Sequence, residues 1–427
     1  MKVLVVGAGG REHALSWKIS QSTLVTSVFV APGNGGTELE DHLTNVDIQA
    51  DDIEGLASFA LEQGIDLTIV GPEDPLVNGI TDRFNDLGLK CFGPSKGAAQ
   101  LEGSKEFMKD FLQRHHIPTA EYSSFSDTER AIEYVEQKGC PIVIKADGLA
   151  AGKGVTIAHT VEEAKEAIYQ SLESKVFGEA GKKIVIEEFL DGEEASFIVM
   201  TDGTNVIPFA SSQDHKALED NDKGPNTGGM GAYSPAPIVD EYVHEKIMNE
   251  IIFPTLKGLR KDGYKYCGFL YAGMMIDKNK KLKVLEFNCR FGDPETQPIM
   301  MRLKSDLASL CDQACDDNLI EQPLEWDSRK AIGVVLAARG YPHGYAKGKD
   351  ITNIPLEKDD LKIFHAGTKI ESNSLKSNGG RVLCVTSLGD SVESAQNKAY
   401  DAISEIEWED AFYRKDIGYR AIARERK

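Results

Sequence analysis

A chain of 427 residues exceeds one comfortable hydrophobic core and is expected to split into roughly two to four domains. Its formal net charge of −20 speaks against a nucleic-acid footprint, which needs a basic face. The first apolar run (Val3, Leu4, Val5, Val6) stops at Gly7, too soon for a signal peptide or a membrane span, so a cytoplasmic protein without a membrane partner is expected.

The seven cysteines form no Cys-x-x-Cys pair, and Cys311 and Cys315 stand at helical spacing in a polar stretch. Buried free thiols are therefore expected, not a disulfide framework or a zinc site. The negative charge also sets a condition on any anionic substrate: local Lys, Arg, metal or helix N-termini must draw it in.

Residues 2–6 read as a buried parallel strand, and Gly7-Ala8-Gly9-Gly10-Arg11-Glu12-His13 turns from it into a helix beginning near Arg11. This approaches a dinucleotide fingerprint and fails it. Glu12 replaces the third glycine, and no ribose-binding acid follows at the end of a second strand. The strand over 27–31 leads instead to Pro32-Gly33-Asn34-Gly35-Gly36, and two further strand-to-glycine junctions follow at Gly71-Pro72-Glu73-Asp74 and Gly93-Pro94-Ser95. All should gather at the carboxyl edge of one parallel sheet, where open α/β folds bind ligands. Gly9, Gly10 and the Asn34-Gly35 turn are the phosphate-binding candidates; the plain alternative is that these glycines only permit tight turns.

Ser104-Lys105 opens a helix running to a break before Pro118, with Lys105 either a phosphate ligand or a solvated helix residue. The strand over 141–146 carries Lys145 and leads at once into Asp147-Gly148-Leu149-Ala150-Ala151-Gly152-Lys153-Gly154. The spacing does not fit a Walker A loop, because Gly154 stands where Ser or Thr should bind the metal. A glycine-rich lid whose backbone N–H groups cover phosphates fits better. A helix over 161–172, a strand over 183–190, the turn Asp191-Gly192 and a strand over 193–199 follow.

Further on, Lys283-Val284-Leu285-Glu286-Phe287-Asn288-Cys289-Arg290 reads as a strand on which Glu286, Asn288 and Arg290 share one face while Leu285, Phe287 and Cys289 pack behind. A carboxylate and a carboxamide suit Mg2+, and a guanidinium suits a carboxylate or phosphoryl group. An amphipathic strand with a polar solvent face is the alternative. Beyond Trp326, strands over 332–338, 363–368 and 381–386 and an amphipathic helix over 391–406 read as a small α+β cap without a catalytic cluster, though Arg339-Gly340-Tyr341-Pro342 could border a site.

Two lysines, a glycine-rich loop, Glu187-Glu188-Phe189-Leu190 as a hinge and a late Glu-x-Asn together resemble the ATP-grasp superfamily. The chain is similar, more closely, to the glycinamide ribonucleotide synthetases, or phosphoribosylamine-glycine ligases. The likeness rests on the Gly7 to His13 string, the run from Lys145 to Gly154, Gln213-Asp214-His215-Lys216, Asn226-Thr227-Gly228-Gly229-Met230-Gly231-Ala232-Tyr233-Ser234-Pro235 and Arg290-Phe291-Gly292-Asp293-Pro294-Glu295.

The resemblance implies an α/β and α+β multidomain fold. It divides into a Rossmann-like parallel-sheet substrate domain over 1–103, an ATP-grasp core over 104–325 with a lid over about 123–191, and a C-terminal α+β cap over 326–427. It also implies two chemical steps with ATP as co-substrate: glycine's carboxylate takes the γ-phosphate to give glycyl phosphate, and 5-phosphoribosylamine displaces phosphate to form an amide.

By position Lys105, Lys145, Gly152, Lys153 and Gly154 would hold ATP phosphates. Glu187, with the backbone at Glu188 and Leu190, would read adenine, and Glu194 would take the ribose hydroxyls. Glu286 and Asn288 would bind Mg2+ or Mn2+. Arg290, with Asp293 nearby, would meet the carboxylate or acyl phosphate and, with Lys145, carry catalysis.

Asp214, Lys216 and Gly229 would shape the glycine and phosphoribosyl pocket, with Gly9, Gly10, Asn34 and Gly35 reaching the phosphoribosylamine. His215 and Met230 read equally well as packing residues. The preceding strand, Tyr271-Ala272-Gly273-Met274-Met275, offers no further acid, so the metal would lean on ATP and water. A monomer is expected, with transient contact to the enzyme that makes phosphoribosylamine. A nicotinamide-linked oxidoreductase would leave Lys145 and Glu286 without a role, another ATP-grasp ligase or carboxylase would share only the nucleotide half, and a nucleotide sensor would bind ATP without releasing ADP.

Overall fold

The computed structural model describes residues 1–149, 154–174 and 178–426, so Gly152 and Lys153 lie outside the described residues. Continuous apolar runs build the first sheet, as expected of strands covered on both faces. Strand Lys2–Gly7 lies at its centre and pairs in parallel with Ser27–Pro32 on one side and Leu67–Val70 on the other, Val5 standing opposite both Val30 and Ile69. Leu43–Asn45 and Cys91–Phe92 form the edges. The helix Gly10–Ser20 leaves directly from the carboxyl end of the central strand.

The middle of the chain holds two four-stranded antiparallel sheets. One orders Val206–Pro208, Glu193–Thr201, Gly268–Ile276 and Leu282–Asn288; the other, the lid sheet, orders Tyr122–Phe125, Ile184–Glu188, Ile142–Ala146 and Val155–Ala158. Helices Thr128–Lys138 and Val161–Leu172 bury Ala131, Val135, Ala164 and Ile168 in the same small core as Ile144 and Ile186.

The C-terminal sheet crosses the boundary expected at 325. Strands Lys330–Ala338, Arg381–Gly389 and Leu361–His365 are extended by Gly231–Ser234 and Gln213–Asp214 from the middle of the chain. Burial explains the excursion: every residue of Gly231–Ser234 is buried, and Tyr233 shares a core with Ile332, Val334 and Leu336. The helix Val392–Glu405 packs Ala395 and Ala399 into that core.

His215 belongs to this packing. It is buried at 1% exposure, its Nε2 accepts from the Gly418 N–H at 3.2 Å, and its Nδ1 lies 3.3 Å from the Gly231 carbonyl, to which it donates. Burial, helped by Arg414, pushes its pKa from 6.5 down to about 4. The unfolded chain takes up a proton that the folded chain refuses, so this contribution to stability is intact above pH 6.5 and lost as pH falls towards 4. The expected slope is about 1.4 kcal/mol per pH unit. Urea midpoints at mildly acidic and neutral pH check it, and His215→Gln should flatten the dependence.

Candidate functional site

A cleft of about 440 Å³ opens between the lid sheet, the second antiparallel sheet and the loops at the carboxyl edge of the first. Strand Leu282–Asn288 brings most of its chemistry and does so through an irregularity. Glu286 pairs with Gly273 and Val284 with Met274, so Leu285 is an extra residue on its strand. Such a bulge re-aims side chains. The expected strict alternation is thus corrected: Leu285 does not pack behind but lines the cleft beside Glu286, and its carbonyl accepts from Lys145 Nζ at 3.2 Å. Phe287 and Cys289 are buried as expected. The strand ends at Asn288, and Arg290 reaches the cleft from the turn that follows.

The cationic groups of the cleft, among them Lys145, Lys216 and Arg290, stand among acidic side chains and work through specific pairs. Lys216 Nζ pairs with Glu194 and stands 3.1 Å from Glu286 Oε1. Lys216 first, then Lys145 and Lys105, hold the carboxyl of the half-buried Glu286 down at about 2. Lys145 meets Glu187 Oε1 at 2.9 Å, and Glu187 Oε2 meets the fully buried Lys109 at 2.9 Å. The Glu187 carboxylate, expected to read adenine, is taken up by two ammonium groups and positions Lys145 instead.

Glu188 pairs with Lys283 through its side chain, and its N–H donates to the Glu121 carbonyl at 3.0 Å. Glu188 and Leu190 both line the cleft.

The helix Lys105–Arg114 is capped by Ser104, and the Asp147 carboxylate accepts from the N–H groups of Lys105 at 2.6 Å and Glu106 at 3.1 Å. Lys105 Nζ donates to the Gly148 carbonyl at 2.7 Å. The start of the glycine-rich loop is thereby docked on the helix N-terminus, and the Gly154 carbonyl at its end accepts from the Ala146 N–H at 2.8 Å.

The other end of the cleft is a chain of ion pairs. Arg290 Nη2 meets Glu102 Oε1 at 2.7 Å and its Nε donates to Glu73 at 3.2 Å, while Arg11 meets Glu12 at 2.5 Å. Asp293 pairs with Arg381 at 3.1 Å, and Arg381 donates to the Gly228 carbonyl at 2.6 Å. Gly229 has φ +110° and packs on Pro294, a left-handed conformation that favours glycine. Tyr341 OH accepts from the Gly228 N–H at 3.0 Å. Burial pushes Asp214 well above the usual carboxylate range and raises Glu295, whose Oε1 accepts from Ser196 Oγ at 2.8 Å.

The glycine loop of the first domain lies behind the cleft wall, a Cβ on Gly9 standing 3.5 Å from Asp293 Oδ2. Gly9, Gly10, Asn34 and Gly35 are not among the residues lining the cleft. Glu12, at the third-glycine position, folds back so that its Oε2 accepts the Gly9 N–H at 2.6 Å, and Cβ atoms at Gly7, Gly9 and Gly71 would collide with it. The Asn34 side chain caps Gly36 and Thr37 and donates to the Ala8 and His365 carbonyls at 2.9 Å each. The Gly9 amide and the Asn34 carboxamide are thus engaged within the protein, and a phosphate at either would have to replace those contacts.

Sequence reasoning missed Arg11, Glu73, Glu102, Glu295, Tyr271 and Arg381 as site residues. Glu73 and Glu295 sat inside strings already singled out. Arg381 comes from the cap, where no cluster was expected and no local pattern marks it.

For a divalent metal the donors are hard oxygens, which suits Mg2+ or Mn2+. Glu286 offers a carboxylate. One terminal atom of the Asn288 amide faces Glu102 Oε1 at 3.0 Å and the Phe287 carbonyl at 3.2 Å; two acceptors there assign it as the nitrogen, which leaves the amide oxygen on the other side. Among the described residues no three His, Cys, Asp or Glu side chains form a metal-binding group, so nucleotide and water would complete the shell.

A parallel-sheet domain, a core sheet facing a lid sheet across a cleft that holds Lys145 and Lys216, and a C-terminal cap define the class: an ATP-grasp protein. A biotin carboxylase from Campylobacter jejuni shares this fold with a TM-score of 0.75 at 16% identity, over 97% of this chain and 93% of that one.

The chain belongs to the phosphoribosylglycinamide synthetase family. The family's N domain matches residues 1–102, its ATP-grasp (A) domain 103–296 and its C domain 331–420. The phosphoribosylamine–glycine ligase of Escherichia coli (strain K12) is 61% identical over 427 residues, and that of Vibrio vulnificus (strain CMCP6) 60% over 428, each comparison covering 100% of both chains. A crystal structure of the Thermotoga maritima phosphoribosylamine–glycine ligase matches with a TM-score of 0.86 at 34% identity, over 98% of this chain and 100% of that chain.

Proposed function

We propose that the chain joins glycine to 5-phospho-D-ribosylamine at the expense of ATP, giving glycinamide ribonucleotide, ADP and phosphate in de novo purine synthesis. The observation that carries this reading is the convergence of Lys145, Glu286, Asn288 and Arg290 on one cleft in a chain alike over its whole length to ligases of that name.

A glycine carboxylate oxygen attacks the γ-phosphorus, the bond to ADP breaks, and glycyl phosphate forms. The phosphoribosylamine nitrogen then attacks the carbonyl carbon, phosphate leaves, and the nitrogen loses a proton. Neither step needs a protein nucleophile, so catalysis is positioning and charge neutralisation.

Lys145, held between Glu187 and the Leu285 carbonyl, aims its ammonium at the phosphates. Lys105 completes that grip by exchanging its contact with the Gly148 carbonyl for phosphate oxygens, joined by Gly152, Lys153 and Gly154. Leu190 and the Glu188 carbonyl meet the adenine edge, and Glu194 takes the ribose. Glu286 and Asn288 hold Mg2+ or Mn2+, which when bound neutralises charge between the phosphates.

Arg290 grips the glycine carboxylate and then the acyl phosphate. Asp214, with Glu295 behind it, offers a buried acidic site for the glycine ammonium. Lys216, the Gly229 loop and Asp293 with Arg381 shape the phosphoribosyl side.

The reading keeps working units over 1–103, 104–325 and 326–427, in a cytoplasmic monomer with transient contact to the enzyme that makes phosphoribosylamine. Among the described residues no helix is long and apolar enough to cross a membrane.

Glycine labelled with 18O in its carboxylate tests the intermediate. One labelled oxygen should appear in the released phosphate. Unlabelled phosphate accompanying product would rule out glycyl phosphate.

A further inference from the structure

Glu102 lies in the short helix Gln100–Gly103, just ahead of the Ser104 cap and Lys105, with its side chain 5% exposed. Its carboxylate holds three consecutive residues of another element. Oε1 accepts from Arg290 Nη2 at 2.7 Å, and Oε2 accepts from the Cys289 N–H at 2.7 Å. One terminal atom of the Asn288 amide stands 3.0 Å from Oε1 and 3.2 Å from the Phe287 carbonyl, and because it faces two acceptors it is assigned as the nitrogen. These are the candidate metal-binding carboxamide, the backbone beside it, and the guanidinium assigned to the acyl phosphate.

We infer that Glu102 is a positioning residue: it sets the Asn288 amide oxygen toward the metal and aims the Arg290 fork, fixing both to the segment that carries Lys105. The inference rests on the ligase reading for what those groups do. Its physical content is geometric: both carboxyl oxygens of Glu102 face donors from the other segment and serve them as acceptors. With nothing but acceptors at Glu102, Asn288 must offer its nitrogen there and its oxygen elsewhere. A glutamine at this position has one acceptor oxygen for these three donors: turned one way its N–H2 group opposes Asn288 and Arg290 together, and turned the other way it opposes the Cys289 N–H, so part of the hold on the segment is lost in either orientation. Aspartate keeps the charge but is one methylene too short to reach Asn288, Cys289 and Arg290 together.

Outer groups that orient metal ligands are commonly worth roughly 10- to 100-fold in metal affinity or activity. Glu102→Gln should therefore weaken Mn2+ binding to the ATP complex, read by electron paramagnetic resonance, by roughly 10- to 100-fold. Turnover should fall by a similar factor, while ATP binding without metal and the thermal midpoint hold. Glu102→Asp should show the same pattern.

Wild-type Mn2+ affinity and kcat in either folded variant would overturn the assignment. So would loss of the fold in both, which would make Glu102 a purely structural buried acid. The Mn2+ titration needs no turnover. A chain with Glu102-dependent Mn2+ binding that forms no glycinamide ribonucleotide would sink the ligase reading and leave this one standing.

Discussion

Glu286→Gln is expected to lower turnover by at least about 10²-fold, the scale of losing one preorganised electrostatic contact at a reacting centre. Glu286 stands next to the bulge at Leu285, where the strand turns two successive residues into the cleft. Lys216, with Lys145 and Lys105 behind it, keeps the carboxyl ionised far below neutral pH. A neutral amide keeps the shape and removes the charge that draws the metal. Stability should change little, because Lys216 keeps Glu194 as a partner and the Glu286 side chain is 38% exposed. Steady-state kinetics and a thermal melt decide the matter. A marked drop in the melting temperature with turnover preserved would make Glu286 a structural strand residue.

The second large effect falls on stability. Glu187 is 2% exposed and carries two ammonium groups, Lys109 at 2.9 Å and Lys145 at 2.9 Å. Removing one partner of a buried pair costs about 3–5 kcal/mol, since an uncompensated charge stays behind. Glu187→Gln should destabilise the lid sheet on that scale, measured by urea denaturation with a probe placed in that sheet. Burial already lowers Lys109 to about 8, against the opposing pull of Glu187. Losing the carboxylate pushes Lys109 further towards its neutral form and limits the damage. Adding Lys109→Met to Glu187→Gln should restore part of the loss, because it removes the more deeply buried charge. A single variant as stable as wild type would mean that Glu187 is not needed to compensate these lysines.

The strands over 2–6, 141–146 and 332–338 were legible because an apolar run between glycine or proline signals is a local property. So were Lys145, Glu286, Asn288 and Arg290 as cleft residues, since each stands on or just beyond such a strand.

What escaped depends on pairing at a distance. The bulge at Leu285 exists only against Gly273 and Met274, so a period-two reading of one strand places Leu285 on the wrong face. Gln213–Asp214 and Gly231–Ser234 join the cap sheet through partners far along the chain, and a two-residue strand has no periodicity to read. Arg381 finds Asp293 and the Gly228 carbonyl by tertiary packing. Glu12 shows the converse: its place in a failed fingerprint was visible, but not that its carboxylate would take the Gly9 amide that a phosphate was expected to use.

The most direct test of the account is ADP release from ATP and Mg2+ with glycine, with and without phosphoribosylamine generated in the assay from ribose 5-phosphate and ammonia. The account predicts ADP only when both acceptors are present, with glycinamide ribonucleotide formed in equal amount. No product from the complete mixture, with ATP still bound in the cleft, would contradict it and point to a different carboxylate and amine.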